Sequence, residues 1–210
     1  MFSPRIYWRL FEALNQSLWP APLLSVAVPL AWLLWFARRG LAAAPRVSAA
    51  VLGLGWLFVA WAFLWQRYAP INWAAQVFAV GFVLQGLALL VWAGVGQPQA
   101  CASSLRRRVG LGLVLWALLA HPLLAGLDGR PWSQAEVFGL APDPTAIGTL
   151  GWLLLVGGHP ALWAVPLLWC AITAAALATM GSAQALVPLS AALLAMVAAR
   201  RHGNLATPQD

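Results

Sequence analysis

The chain has 210 residues, of which 62% are hydrophobic and only 8% charged, and its mean hydropathy is +0.80. Soluble domains carry roughly a quarter charged residues, so this balance excludes an ordinary water-soluble enzyme and predicts an all-α integral membrane protein. The net charge of +7 would suggest nucleic acid in a soluble domain. Here the twelve basic residues, all arginine, fall mostly in short segments between apolar runs, where they set orientation, and no nucleic-acid partner is expected.

A helix needs about 20 apolar residues to cross the hydrocarbon core, and residues 1–16 fall short of that. Ile6, Leu10, Phe11 and Leu14 recur at helical spacing with Arg5, Arg9 and Glu12 between them, which predicts an interfacial amphipathic helix. The apolar run after it is too long for a signal-peptide core and ends in Arg38-Arg39, so it reads as a retained helix.

A single transmembrane helical domain is expected over 17–200, with spans at about 17–37, 47–66, 73–95, 109–127, 145–157, 160–179 and 183–199. Pro29 inside the first span bends a membrane helix without breaking it. The Arg106–Arg108 triplet precedes the fourth span, and the fifth is short. Gly157-Gly158-His159-Pro160 forms a tight turn, and 201–210 reads as a flexible tail.

Seven spans put the termini on opposite sides. With the N-terminus outside, the inner segments hold eight arginines and the outer ones four, so the arginine bias selects N-out and C-in. Trp19, Trp65 and Trp73 then lie near outer ends, and Trp35, Trp92 and Trp163 near inner ones, as in an aromatic belt. No two glycines are four apart, so the GxxxG dimer motif is absent.

The longest polar interruption is the outer loop 128–145, which holds Asp128, Glu136 and Asp143, three of five acids, together with Arg130. Loops of this length in a compact domain are functional or disordered, and Pro, Trp and Phe argue against a floppy linker. Several segments carry a resemblance: Leu14–Pro20, Tyr68-Ala69-Pro70-Ile71-Asn72, Arg130-Pro131-Trp132 and Phe138–Thr145 resemble the DUF6064 family of bacterial polytopic membrane proteins, which has no assigned function. Members tend to have Cys-Pro-Thr where this chain has Asp143-Pro144-Thr145. The resemblance implies an integral membrane fold in the bacterial cytoplasmic (inner) membrane and gives no mechanism.

On the expected topology every family-like segment lies outside. The candidate binding residues are Tyr68, Asn72, Gln76, His121, Arg130, Glu136 and Asp143. His121 is the one ionisable residue placed within a span, where burial is expensive; a single hydrogen bond would also satisfy it. Asn72 and Gln76 share a helix face. Thr173, Thr179 and Gln184 could line the same polar cavity, whereas Gln85 reads as interhelical glue. Arg130 is expected to pair within its loop, Asp143 and Thr145 to cap the following helix, and Cys170 to fill core space.

HExxH, Walker and nucleophile-elbow patterns are missing, so no catalytic residue, metal or cofactor is predicted. Cys101 and Cys170 give no disulfide or metal spacing. The first reading is a binding or permeation module with a polar site beneath an outer lid, surrounded by the lipid bilayer and taking a small-molecule ligand. The second is an accessory subunit docked on a membrane-protein partner. An intramembrane enzyme or redox protein using His121 comes third.

Overall fold

The computed structural model describes residues 4–39, 44–98 and 103–200, and every regular element among them is helical. In chain order these are α1 (Pro4–Ser17), α2 (Ala21–Arg39), α3 (Ala44–Phe58) with a π-helical continuation (Val59–Tyr68), and α4 (Ala74–Val95). Then α5 (Ser104–Leu115) runs through a π turn (Trp116–Ala120) into α6 (His121–Leu127), followed by α7 (Pro142–Val156), α8 (Ala164–Thr179) and α9 (Leu186–Arg200). Cys101 and the tail 201–210 lie outside the described residues.

Both π segments end two residues before a proline. The Ala69 N–H reaches back to Leu64 O just ahead of Pro70, and the His121 N–H reaches Trp116 O just ahead of Pro122. A proline ring cannot donate and clashes with the carbonyl four residues back. A wider turn makes room for it without ending the helix.

Five helical stretches are long and apolar enough to cross a membrane: Ala44–Tyr68, Ala74–Val95, Ser104–Leu127, Pro160–Thr179 and Ala183–Arg200. A sixth counts if α1 and α2, bent by 81° at residues 18–20, act as one. The expected seven thus stand at five or six by this measure. The shortfall centres on the 145–157 stretch: α7 has 15 residues, about 22 Å at 1.5 Å per residue, against a core of about 30 Å. Arg106–Arg108, expected before a span starting at 109, form the first turns of α5 instead.

α7 is the central helix. Fourteen of its fifteen residues are buried, against α3, α5, α8 and α9. It ends at Gly157, whose φ of +68° is a left-handed cap that other residues adopt only with strain. Close packing is achieved without GxxxG. A Cβ on Gly151 would sit 2.7 Å from Gly110 O, and one on Gly53 2.8 Å from Gly86 O, so α5–α7 and α3–α4 touch backbone to backbone.

The expected aromatic belt splits. Trp19, Trp35, Trp65 and Trp73 are exposed, but Trp92 is buried with its ring edge-on to Trp152. Trp56 and Trp169, deep in the bundle, spend their indole N–H groups on Thr149 and Asp143. Gln85 donates to Leu162 O and so joins two helices, in keeping with its reading as glue.

Candidate functional site

The site is built where α1 and the 128–141 loop close over the bundle. α1 turns Tyr7, Trp8, Phe11, Leu14 and Asn15 inward. Of the apolar face read from sequence, Phe11 and Leu14 are buried, whereas Ile6 is 45% exposed; the aromatic side of α1 wins the interior because it buries more area. Phe11 stacks on Phe63, and Tyr7 meets Tyr68 edge-on.

Asn15 ties the loop down. Its Nδ2 donates to Ser133 O and Ala135 O, both at 2.8 Å. One turn earlier Glu12 accepts from Gln134 Nε2 at 3.1 Å. Arg130 lies over the Trp8 ring, 3.6 Å from its centroid, donates to Gln134 O and stands 3.7 Å from Asp128 Oδ2. The in-loop ion pair expected for Arg130 is therefore present, with a cation–π contact added to it. Desolvation draws the Arg130 guanidinium below its ordinary value, and the negative charges of Glu136 and Asp128 pull it back up. Gln184 donates to Asp128 Oδ2 at 2.6 Å, joining the α8–α9 turn to the same rim.

These elements surround an open polar vestibule of about 750 Å³, lined among others by Arg5, Trp8, Arg9, Glu12, Arg130 and Gln134. Arg5 and Arg9 stand one turn apart on α1 and have no ion pair or hydrogen bond among the described residues. Glu12 and Asp128, by contrast, are already engaged. The vestibule wall thus offers two free guanidinium groups.

Beneath the lid lies a buried polar cluster. Past its Gly139 turn, at φ +77°, the loop feeds into α7. Asp143 Oδ1 accepts from Trp169 Nε1 at 2.7 Å and Oδ2 from Thr173 Oγ1 at 3.0 Å. Tyr7 on α1 lies beside Thr173. The chain Thr173–Asp143–Trp169 joins α8 to α7. Trp169 also packs edge-on to Phe78 and Phe82, which places the Asp143 carboxyl one to two turns below the start of α4.

Asp143 therefore does not cap α7. The N-cap residue is Ala141, with no side-chain cap, and Thr145 instead accepts from Gly139 N and donates to Ala141 O. The carboxylate is drawn inward because α8 offers it two donors.

Beside Asp143, and within electrostatic reach of it, lie His121 and Glu136. They are 3% and 4% exposed, His121 Nε2 stands 3.9 Å from Glu136 Oε2, and neither these atoms nor His121 Nδ1 has a hydrogen-bond partner. An unpaired buried polar group costs about 1–3 kcal/mol, so these three bare atoms are costly to the interior.

The structure brings His121, Glu136 and Asp143 together, sets Arg130 above them, and reaches Tyr68 through Tyr7. Asn72 lies apart: its side chain accepts from Ala74 N at the start of α4 and contacts Tyr68. Gln76 is exposed on α4. Thr173 and Gln184 belong to the region, while Thr179 is exposed and bonds within its own helix. Tyr7, Asn15 and Trp169 were not singled out from the sequence as site residues; the only sequence signal near them was the Leu14–Pro20 segment. Cys170 is buried and free. No three His, Cys, Asp or Glu among the described residues converge as a metal site.

The description "Family of unknown function (DUF6064)" matches residues 4–208. No curated protein and no solved structure matches the chain.

Proposed function

Because the chain belongs to the DUF6064 family, whose description assigns no activity, we propose its function from geometry: a membrane-embedded binding module that takes a small anionic solute into the vestibule beneath the α1–loop lid. Membrane insertion is supported by how little of each apolar helix is covered. Only a third to a half of each apolar window is buried within the chain. The remainder, including Leu84, Val91, Leu119 and Leu193, needs an apolar solvent.

In this reading α7 and the inward-dipping loop together form the fifth of seven crossings, in the bacterial inner membrane. The N-terminus and vestibule face outward and the C-terminus faces the cytoplasm, as the arginine distribution favours. Permeation past the lid is one version of this function.

The observation that carries the reading is the unpaired Arg5 and Arg9 facing a vestibule of about 750 Å³. Guanidinium groups are suited to carboxylate or phosphate oxygens. The test is a thermal-shift titration of the purified full chain with acetate, succinate and inorganic phosphate. Stabilisation by one of them, lost when Arg5 and Arg9 are both replaced by Gln, is the expected result. No stabilisation by any anion, or an equal effect in the double variant, contradicts the site.

One observation favours a second reading, the accessory subunit. An apolar groove of about 420 Å³ runs between α5 and α9, floored by Gly112 and Ala191 and flanked by Trp116 and Leu194. Purification in mild detergent with a partner subunit attached would favour it.

A further inference from the structure

Among the groups the vestibule does not use, the buried trio below it is the most demanding. Asp143, Glu136 and Arg130 lie within one another's electrostatic reach or share it through Glu136. Arg130 is already paired with Asp128, so Asp143 and Glu136, counted as ionised, leave two negative charges without a cation of their own in an interior where isolated charge is costly. Asp128 is at the rim and is engaged by Gln184 and Arg130. The other titratable groups facing the cluster are Tyr7 from α1, Tyr68 from the π segment of α3, and Cys170 from α8. None of these is a cation.

One proton would halve that excess, and the geometry says where it belongs. Asp143 already accepts a hydrogen bond on each oxygen, from Trp169 and Thr173. His121 and Glu136 instead present bare atoms to each other at 3.9 Å. That gap is longer than a hydrogen bond, with no other partner for either atom.

We propose that His121 and Glu136 together form a proton-binding site, holding one exchangeable proton between imidazole and carboxyl at the base of the lid. With the proton bound, the buried cluster carries one negative charge fewer. When it leaves to water, His121 is neutral, Glu136 is a carboxylate, and that charge returns to the cluster. Proton occupancy sets the charge beneath Arg130. The site stands independently of any anion in the vestibule, because it concerns only groups below the lid.

The experiment is nitrogen NMR of the full chain with labelled histidine, in lipid nanodiscs. His159 is exposed and His202 lies in the tail, so replacing both with Asn leaves His121 as the one signal. His121 is expected to pass between the cationic and neutral imidazole patterns as pH rises, and Glu136→Gln to remove that transition or displace it to lower pH. A His121 signal fixed in one neutral tautomer throughout the folded range overturns the proposal. So does an unchanged titration in a folded Glu136→Gln variant. Should that variant fail to fold, Glu136→Asp, which keeps the carboxyl one methylene further away, must still displace the transition; an unmoved one counts against the site.

Discussion

Trp169 donates its indole N–H to Asp143 Oδ1 at 2.7 Å, across 26 residues of sequence, and Thr173 on the same face of α8 donates to the other oxygen. This clamp fixes α7 against α8 and sets the depth at which the lid enters the bundle. Its energetic weight lies less in forming two hydrogen bonds than in what their loss would strand.

Two substitutions on α8 separate those effects. Trp169→Phe keeps most of the ring packing against Phe78 and Phe82 and leaves one carboxylate oxygen bare, an expected loss of about 1–3 kcal/mol. Thr173→Val leaves the other oxygen bare in the same way, with an expected loss of similar size. Thermal denaturation in detergent measures both, and a Thr173→Val protein as stable as wild type would remove the Thr173–Asp143 bond from the clamp.

Asn15 holds the lid through Ser133 O and Ala135 O. Asn15→Ala strands both carbonyls unless water reaches them, and should loosen the loop more than it destabilises the bundle. Hydrogen exchange is the suitable measurement, since it reads local opening. Amides of residues 128–141 are expected to exchange faster while those of α4 and α7 keep their protection. Uniform acceleration across the chain would mean that Asn15 supports the whole fold.

Much of the architecture was legible in the sequence, because apolar runs of membrane length announce themselves whatever their neighbours do. The amphipathic α1 and the weight of the 128–145 loop were legible for the same reason: polarity in so apolar a chain stands out. His121 and Glu136 could be named, but their pairing could not, since it depends on how far the loop sinks between helices.

The role of Asp143 was hidden by a sound local argument. An acid between prolines at a helix start reads as a cap, and only the donors of α8, far away in sequence, draw it inward. Trp169 was one of fourteen tryptophans, and Tyr7 one of several aromatics on a short helix. Nothing local distinguishes an indole that anchors at an interface from one that feeds a buried carboxylate. Gln76 misled in the opposite sense, because sharing a face with Asn72 did not decide which way that face turned.

In the proposed orientation the vestibule bounded by α1 and the loop opens on the outer side of the membrane. Labelling of intact bacterial cells with a membrane-impermeant thiol reagent tests it most directly. In a background with Cys101 and Cys170 replaced by Ser and Ala, one variant carries Gln134→Cys on the vestibule wall and a second Ser104→Cys at the start of α5. Position 134 is expected to react in intact cells, and position 104 only after the membrane is permeabilised. Labelling at 104 but not 134 in intact cells would invert the topology and turn the vestibule, with the site beneath it, toward the cytoplasm.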